Sequence, residues 1–153
     1  MDAPRARAPA AKHDGLRKLC DHLPRTDLAG YVLAAEAGRE VIFYEMETGS
    51  SLMPERSDVP RVKRRHTTQT LDAIAPVGSD LFVKIDAQGA ELEILAGGEQ
   101  TLERAALVQL EVAVADYNEG APTMAEVLRF MDERGFAVID VAGHTRLRGT
   151  WYS

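Results

Sequence analysis

The sequence has one cysteine, Cys20, no apolar stretch of membrane length and no excess of positive charge. A single cysteine excludes an intrachain disulfide and fits a reducing, cytoplasmic setting. Cys20 itself reads as a small hydrophobe on a helix rather than as a nucleophile. Without about 20 consecutive apolar residues there is no candidate spanning helix. The N-terminus also lacks the apolar core of a secretory signal. A net charge of −6 and a pI near 5.2 disfavour nucleic acid, whose phosphates favour a basic surface. No internal repeat is visible.

What is present suits one globular domain. The chain has 153 residues, 45% hydrophobic and 27% charged, which is enough for an ordinary core. Charge is unevenly spread: residues 1–26 carry six Lys/Arg against three Asp/Glu, so they are +3 and the remainder is −9. The first 14 residues are rich in Ala, Pro and Arg and read as a disordered segment, with the domain proper over 15–153. In "GLRKLCDHL" (15–23), Leu16, Leu19, Cys20 and Leu23 fall at helical spacing, and Pro24 ends the helix. "GYVLAAEA" (30–37) predicts a buried strand, and "GREVIFYEMETGS" (38–50) a strand bounded by glycine turns. The Ser- and Pro-containing stretch 49–60 predicts a loop. "RVKRRHTTQ" (61–69) reads as a solvated edge strand or loop, with an anion-binding patch as the minor option. Thr70 is placed to cap a short turn closed by Pro76.

From residue 80 the pattern alternates. "DLFVKIDA" (80–87) predicts a strand, and 90–105 a helix in two pieces, broken at Gly97-Gly98. Leu92, Leu95 and Leu102 of that helix share a face toward a sheet. Residues 106–114 predict a second strand. Residues 122–136 predict a helix opened by the capping box Thr123–Glu126, with an apolar stripe of Val127, Leu128 and Met131 and a stop at Gly135. Residues 136–143 predict a third strand. Strand, helix, strand, helix, strand argues for βαβ units and a largely parallel sheet.

The stretch "KIDAQGAELEIL" (84–95) puts acids and a glycine where a buried strand ends. In open α/β sheets ligands bind outside the carboxyl ends of the strands. Asp86 stands at such an end, and Gly89 permits a tight turn or a close approach. Glu91 falls in the first helical turn, where its charge suits the dipole. Glu111 ends the next strand in the same way, so Asp86 and Glu111 should share one rim. A buried carboxylate needs a partner. Lys84, two residues before Asp86 and on the same side of the strand, is the expected one. Taken alone, Glu91 is more often a dipole-compensating surface residue, and Glu93 reads as solvated. His66 and His144 have no neighbour at ligand spacing and read as surface histidines, so no metal is expected. Tyr117 and Trp151 read as packing residues.

"FVKIDAQGAELEILAGGEQTL", then "LVQLEV" and "MAEVLRFMDERGFAVIDV", with "EVIFYEMETGSSL" and "TLDAI" upstream, resemble the FkbM family of S-adenosylmethionine-dependent methyltransferases over roughly residues 30–142. The resemblance implies an α/β fold with a Rossmann-like, mostly parallel sheet and helices on both faces. It implies methylation of a hydroxyl on a small molecule, sugar or lipid. It places Asp86 at the end of the fourth strand and Glu111 at the end of the fifth, as the catalytic pair. Asp86, Ala87 and Gln88 would bind S-adenosylmethionine, and Lys84, Gly89 and Glu91 the acceptor. One departure stands out. No glycine-rich strand-turn-helix precedes the third-strand candidate at 30–37, so the expectation is a partial sheet lacking its first two strands. Such a chain would be weakly active or inactive alone, with an exposed sheet edge open to self-association. The other reading is a non-catalytic α/β remnant or interaction module that binds no cofactor.

Overall fold

The structure, a computed structural model, describes residues 10–45, 62–113 and 120–143. In chain order the elements are α1 (Ala10–His22), β1 (Val32–Leu33), β2 (Glu40–Glu45), β3 (Val62–Gln69), α2 (Leu71–Ile74), β4 (Leu81–Ile85), α3 (Glu91–Ala96), α4 (Glu99–Glu103), β5 (Ala105–Leu110) and α5 (Met124–Asp132). Helix α1 takes in residues 10–14, which the sequence placed in a disordered segment. Residues 1–9, the expected loop at 49–60, Tyr117, His144 and Trp151 lie outside the described residues.

The strands form two sheets, not one. The first has the order β1-β3-β2, with β1 parallel and β2 antiparallel to β3. The second is the parallel pair β4-β5. The expectation of a single, mostly parallel sheet is therefore corrected: one sheet is mixed, and among the described residues no strand joins it to the other. β3 is also not an edge. It is the central strand, and it alternates. Lys63 and Arg64 are both exposed, and the alternation holds from Arg65 on: Arg65 and Thr67 are exposed, while His66 is half-buried and Thr68 buried. The Thr68 hydroxyl donates to the Glu36 carbonyl at 2.7 Å and accepts the Arg39 N–H at 3.0 Å. An inward polar residue thus ties down the link between β1 and β2 with its bonds satisfied.

The β4–β5 register sets the core on one face. Leu81, Val83 and Ile85 turn inward while Phe82 and Lys84 face out. Ile85 packs with Ala90, Ile94, Leu95, Leu102 and Met131, flanked by Val83, Val108, Leu110, Phe130 and Phe136. Leu95 is fully buried, which stabilises by roughly 2–3 kcal/mol. α3, α4 and α5 all supply this one cluster. On the opposite face Phe82 is 60% exposed and Leu107 43%. Helices on both faces are accordingly not seen among the described residues.

The helix breaks follow local chemistry. Gly97 separates α3 from α4 because a Cβ there would lie 2.3 Å from the Ala34 carbonyl oxygen, and at Gly98 one would lie 2.7 Å from the Leu71 side chain. The glycine pair lets the broken helix press on the chain after β1 and on α2, which is how the two sheets are bridged. At α5 the capping box is formed: Glu126 Oε2 accepts from the Thr123 N–H at 2.7 Å, and the Thr123 hydroxyl accepts from the Glu126 N–H at 3.3 Å. Gly135 (φ 82°) closes that helix, and the Phe136 N–H returns to the Met131 carbonyl. Residues 136–143 are not a strand. Ile139 and Val141 have the i, i+2 spacing of a strand face, yet Val138, Ile139 and Val141 stand 64–81% exposed with no ladder partner among the described residues. Periodicity supplies a face, but a strand also needs an edge to bond to.

Candidate functional site

The site is built where β4 and β5 end side by side. The ladder runs in register from Phe82–Leu107 to Ile85–Leu110, and the Glu111 N–H donates to the Ile85 carbonyl at 2.9 Å. Asp86 and Glu111 therefore follow paired residues on parallel neighbours. By alternation they belong to the outward face, with Lys84 and Gln109 before them. Both residues are exposed. Lys84 Nζ lies 3.8 Å from Asp86 Oδ2, with the two side chains 52% and 41% exposed. A pair this open contributes at most about 1 kcal/mol. Its effect is to orient Asp86 rather than to stabilise the fold.

Beyond Asp86 the chain turns sharply. Gln88 (φ 52°) and Gly89 (φ 102°) are both left-handed, and the Ala90 N–H donates back to the Ala87 carbonyl at 3.3 Å. This is a turn with two positive-φ central residues, the kind that favours glycine. Gln88 holds the conformation at a cost of about 1–3 kcal/mol. Its Nε2 donates to Asp86 Oδ1 at 3.1 Å. Ala87 and Gly89 turn their N–H groups toward Glu91 Oε1, at 3.2 and 3.0 Å. Glu91 is 3% exposed. Its carboxylate faces back into the turn and is engaged there, away from the open rim where the sequence put an acceptor contact. Gly89, expected beside the acceptor, likewise has its N–H committed to Glu91.

A shallow cleft of about 330 Å³ opens next to this turn. Gly89, Leu92 and Glu93 form one wall, and residues 120–122 with Glu126 form the other. Glu93 pairs with Arg39 at 3.7 Å. The Glu126 carboxyl is held below its ordinary range by the Thr123 N–H, then by the Thr123 hydroxyl, and by the nearby Arg129 charge. The cleft is thus lined by small and apolar groups with acids at its margin. Sequence reading took Glu93 as solvated, Pro122 as the start of a helix and Glu126 as a cap, and gave none of them a place at the site. The available signal was that a βαβ order brings the start of the next helix back to the same rim.

No group of three or more His, Cys, Asp or Glu among the described residues could hold a metal. His66 sits in β3 with the edge of its ring on Phe43, centroids 5.6 Å apart, and is remote in sequence from the rim. No helix among the described residues is long and apolar enough to cross a membrane.

The family profile described as the Methyltransferase FkbM domain matches residues 22–138. The chain belongs to the FkbM methyltransferase family. The match runs through both sheets and takes in Lys84, Asp86, Gly89, Glu91 and Glu111 together. Comparison with curated proteins and with solved structures gives no significant match.

Proposed function

We propose that this chain carries the acceptor side of an S-adenosylmethionine-dependent O-methyltransferase with a Rossmann-like sheet. The observation that carries the reading is the placement of Asp86 and Glu111 at adjacent carboxyl ends of parallel strands, ahead of a turn whose Gly89 lines an open cleft, within a methyltransferase family match. The residues fit the cofactor by charge. Exposed carboxylates suit a sulfonium cation and ribose hydroxyls. The turn N–H groups do not offer an anion cradle, because Glu91 already fills it. Asp86, with Ala87 and Gln88 shaping its approach, would hold the cofactor from this side. When bound, the cofactor supplies an electrophilic methyl group. Asp86 would accept a hydrogen bond from the acceptor hydroxyl and draw off its proton as the oxygen becomes nucleophilic. Glu111 would take the neighbouring position on the rim, and Lys84, 3.8 Å from Asp86, would hold that side chain in place. The acceptor is a hydroxyl compound small enough, or thin enough at its reacting end, to enter the cleft.

The strand order supports the same frame. In the doubly wound order 3-2-1-4-5, the third and fourth strands are not neighbours. If β1 is the third and β4 the fourth, two strands belong between them, and the two separate sheets are what the described residues would then show. The test is a calorimetric titration with S-adenosylhomocysteine, on this chain and on a version extended upstream. Saturable micromolar binding in either, weakened about tenfold or more by Asp86→Ala, is expected. No saturable binding in either refutes the reading.

A second reading has its own observation. Phe82 and Leu107 on the bare face of β4–β5, with Val138, Ile139 and Val141, expose large apolar side chains, as an interaction module does. That module would self-associate or pair through the outer edges of β4 and β5, which bond to no other strand among the described residues. Concentration-dependent association without any cofactor binding is its signature.

A further inference from the structure

The turn between β4 and α3 holds its own anion. Successive N–H groups converge when neighbouring residues adopt left-handed conformations, and such hollows bind oxyanions. Here Ala87 and Gly89 aim at a single oxygen, Oε1 of Glu91, from a residue 3% exposed. Glu91 opens α3, whose N-cap residue, Ala90, makes no side-chain cap bond, and the Glu91 carboxylate folds back over the turn that precedes the helix. Between its two N–H donors sits Gln88, a non-glycine residue held at φ 52°. The side chain of Gln88 reaches the other way, to Asp86 Oδ1. The chain of contacts is continuous: buried carboxylate, two backbone donors, a left-handed residue between them, and the amide that meets the rim acid.

We propose that Glu91 is the positioning residue of the rim, not an acceptor ligand: by filling the Ala87/Gly89 hollow it fixes Gln88 left-handed and so aims the Gln88 amide at Asp86. The functional consequence rests on the reading of Asp86 as the acceptor-side carboxylate. The mechanical part stands without it.

The two parts are separated by measuring amide exchange and cofactor binding on the same full-chain variants. Glu91→Gln keeps a carbonyl oxygen where Oε1 was and can still accept both N–H bonds. Glu91→Ala cannot. In wild type and Glu91→Gln the Ala87 and Gly89 amides should exchange slowly, and the Gln88 side-chain amide should keep its shift. In Glu91→Ala those backbone amides should exchange roughly 10- to 100-fold faster, as when a hydrogen bond to a charged group is lost, and the Gln88 side-chain amide signal should shift from its wild-type position. S-adenosylhomocysteine affinity, or turnover once an acceptor is found, should follow the same split: Glu91→Gln within about threefold of wild type, Glu91→Ala reduced about tenfold or more. Gln88→Gly adopts the turn freely but has no amide to donate. It should keep the slow Ala87 and Gly89 exchange, and loss of that protection would mean that Gln88 and not Glu91 holds the hollow. If Glu91→Ala fails to fold, Glu91→Asp, whose carboxylate is one methylene too short to reach both N–H groups, takes its place in the same measurements. Unchanged Ala87, Gly89 and Gln88 signals in Glu91→Ala overturn the proposal. So does loss of function in Glu91→Gln with its amides still protected, because Glu91 would then touch the ligand itself. Absence of cofactor binding in wild type defeats the functional reading alone, and the exchange data still decide the clamp.

Discussion

Replacing Asp72 by alanine removes the tie between α2 and α4. Asp72 Oδ1 accepts the Thr101 N–H and the Thr101 hydroxyl, both at 2.7 Å, and Oδ2 accepts the Gln100 N–H at 3.2 Å. The residue at the N-cap of α4 is Gly98, which has no side chain to do this. Asp72 is therefore a helix cap delivered from another element. Loss of a cap costs about 0.5–2 kcal/mol. Thr101 is 1% exposed, so its N–H and hydroxyl would lose their acceptor in the interior, at about 1–3 kcal/mol before any water enters. Together a loss of about 2–4 kcal/mol is expected. At about 2–4 °C per kcal/mol for a chain of this size, the melting midpoint should fall by about 4–16 °C. Asp72→Asn keeps one acceptor oxygen and should lose less. The measurement is urea and thermal unfolding of the full chain followed by circular dichroism. Acidity adds a second arm. Burial pushes the Asp72 carboxyl up, but the Thr101 hydroxyl, the N–H groups of Thr101 and Gln100 and the Arg104 charge outweigh it, and the net direction is down from 3.8. A carboxyl depressed in the folded state stabilises fully above its unfolded value and loses that contribution as pH falls through the folded one. The ionic part of the wild-type advantage over Asp72→Ala should then hold at neutral pH and fade below about pH 4. A midpoint for Asp72→Ala within a degree of wild type, or an advantage that grows in acid, refutes the reasoning.

Two further substitutions test the packing that carries the rim. Gly97→Ala places a methyl 2.3 Å from the backbone oxygen of Ala34; backbone cannot rotate aside, so a loss of about 1–3 kcal/mol in urea unfolding is expected. Gly15→Ala, where a Cβ meets nothing within 4 Å, is the control and should be neutral or stabilising by up to about 1 kcal/mol. Leu95→Ala empties the fully buried centre of the cluster and should cost about 2–5 kcal/mol, read as a lower urea midpoint at unchanged slope.

The sequence was legible where structure is local. The break at Gly97-Gly98, the Thr70 cap bonding the Ala73 N–H at 3.3 Å, the Thr123–Glu126 box and the Lys84–Asp86 pair all depend on residues within a few positions of each other. The parallel pairing of β4 with β5 followed from the strand-helix-strand order. Two other readings failed because they hinged on distant neighbours. β3 looked like an edge because Lys63, Arg64 and Arg65 dominate it, yet centrality is decided by β1 and β2 lying on either side. Residues 136–143 had the period of a strand and no partner to bond. At the site, Asp86 and Glu111 could be placed on one rim from alternation alone. The burial of Glu91 could not, since a charge in a first helical turn looks the same whether it faces water or a hollow of N–H groups.

That difference matters for how the rim divides its labour. Of the three carboxylates at the ends of β4 and β5 and the start of α3, Asp86 and Glu111 are exposed and Glu91 is buried. A group that exchanges a proton with an incoming hydroxyl has to be reached by it, and Glu91 cannot be reached without unmaking the turn. Asp86 and Glu111 lie on the outward face of β4–β5, which begins with Phe82 and Leu107 and ends with the acids. The face is therefore apolar at one end and anionic at the other. A cationic methyl donor and a hydroxyl acceptor suit the acidic end. The apolar end gains from being covered, whether by further chain or by a partner, and covering it would dry the site beside it. A low-dielectric wall next to Asp86 would strengthen each hydrogen bond the rim makes.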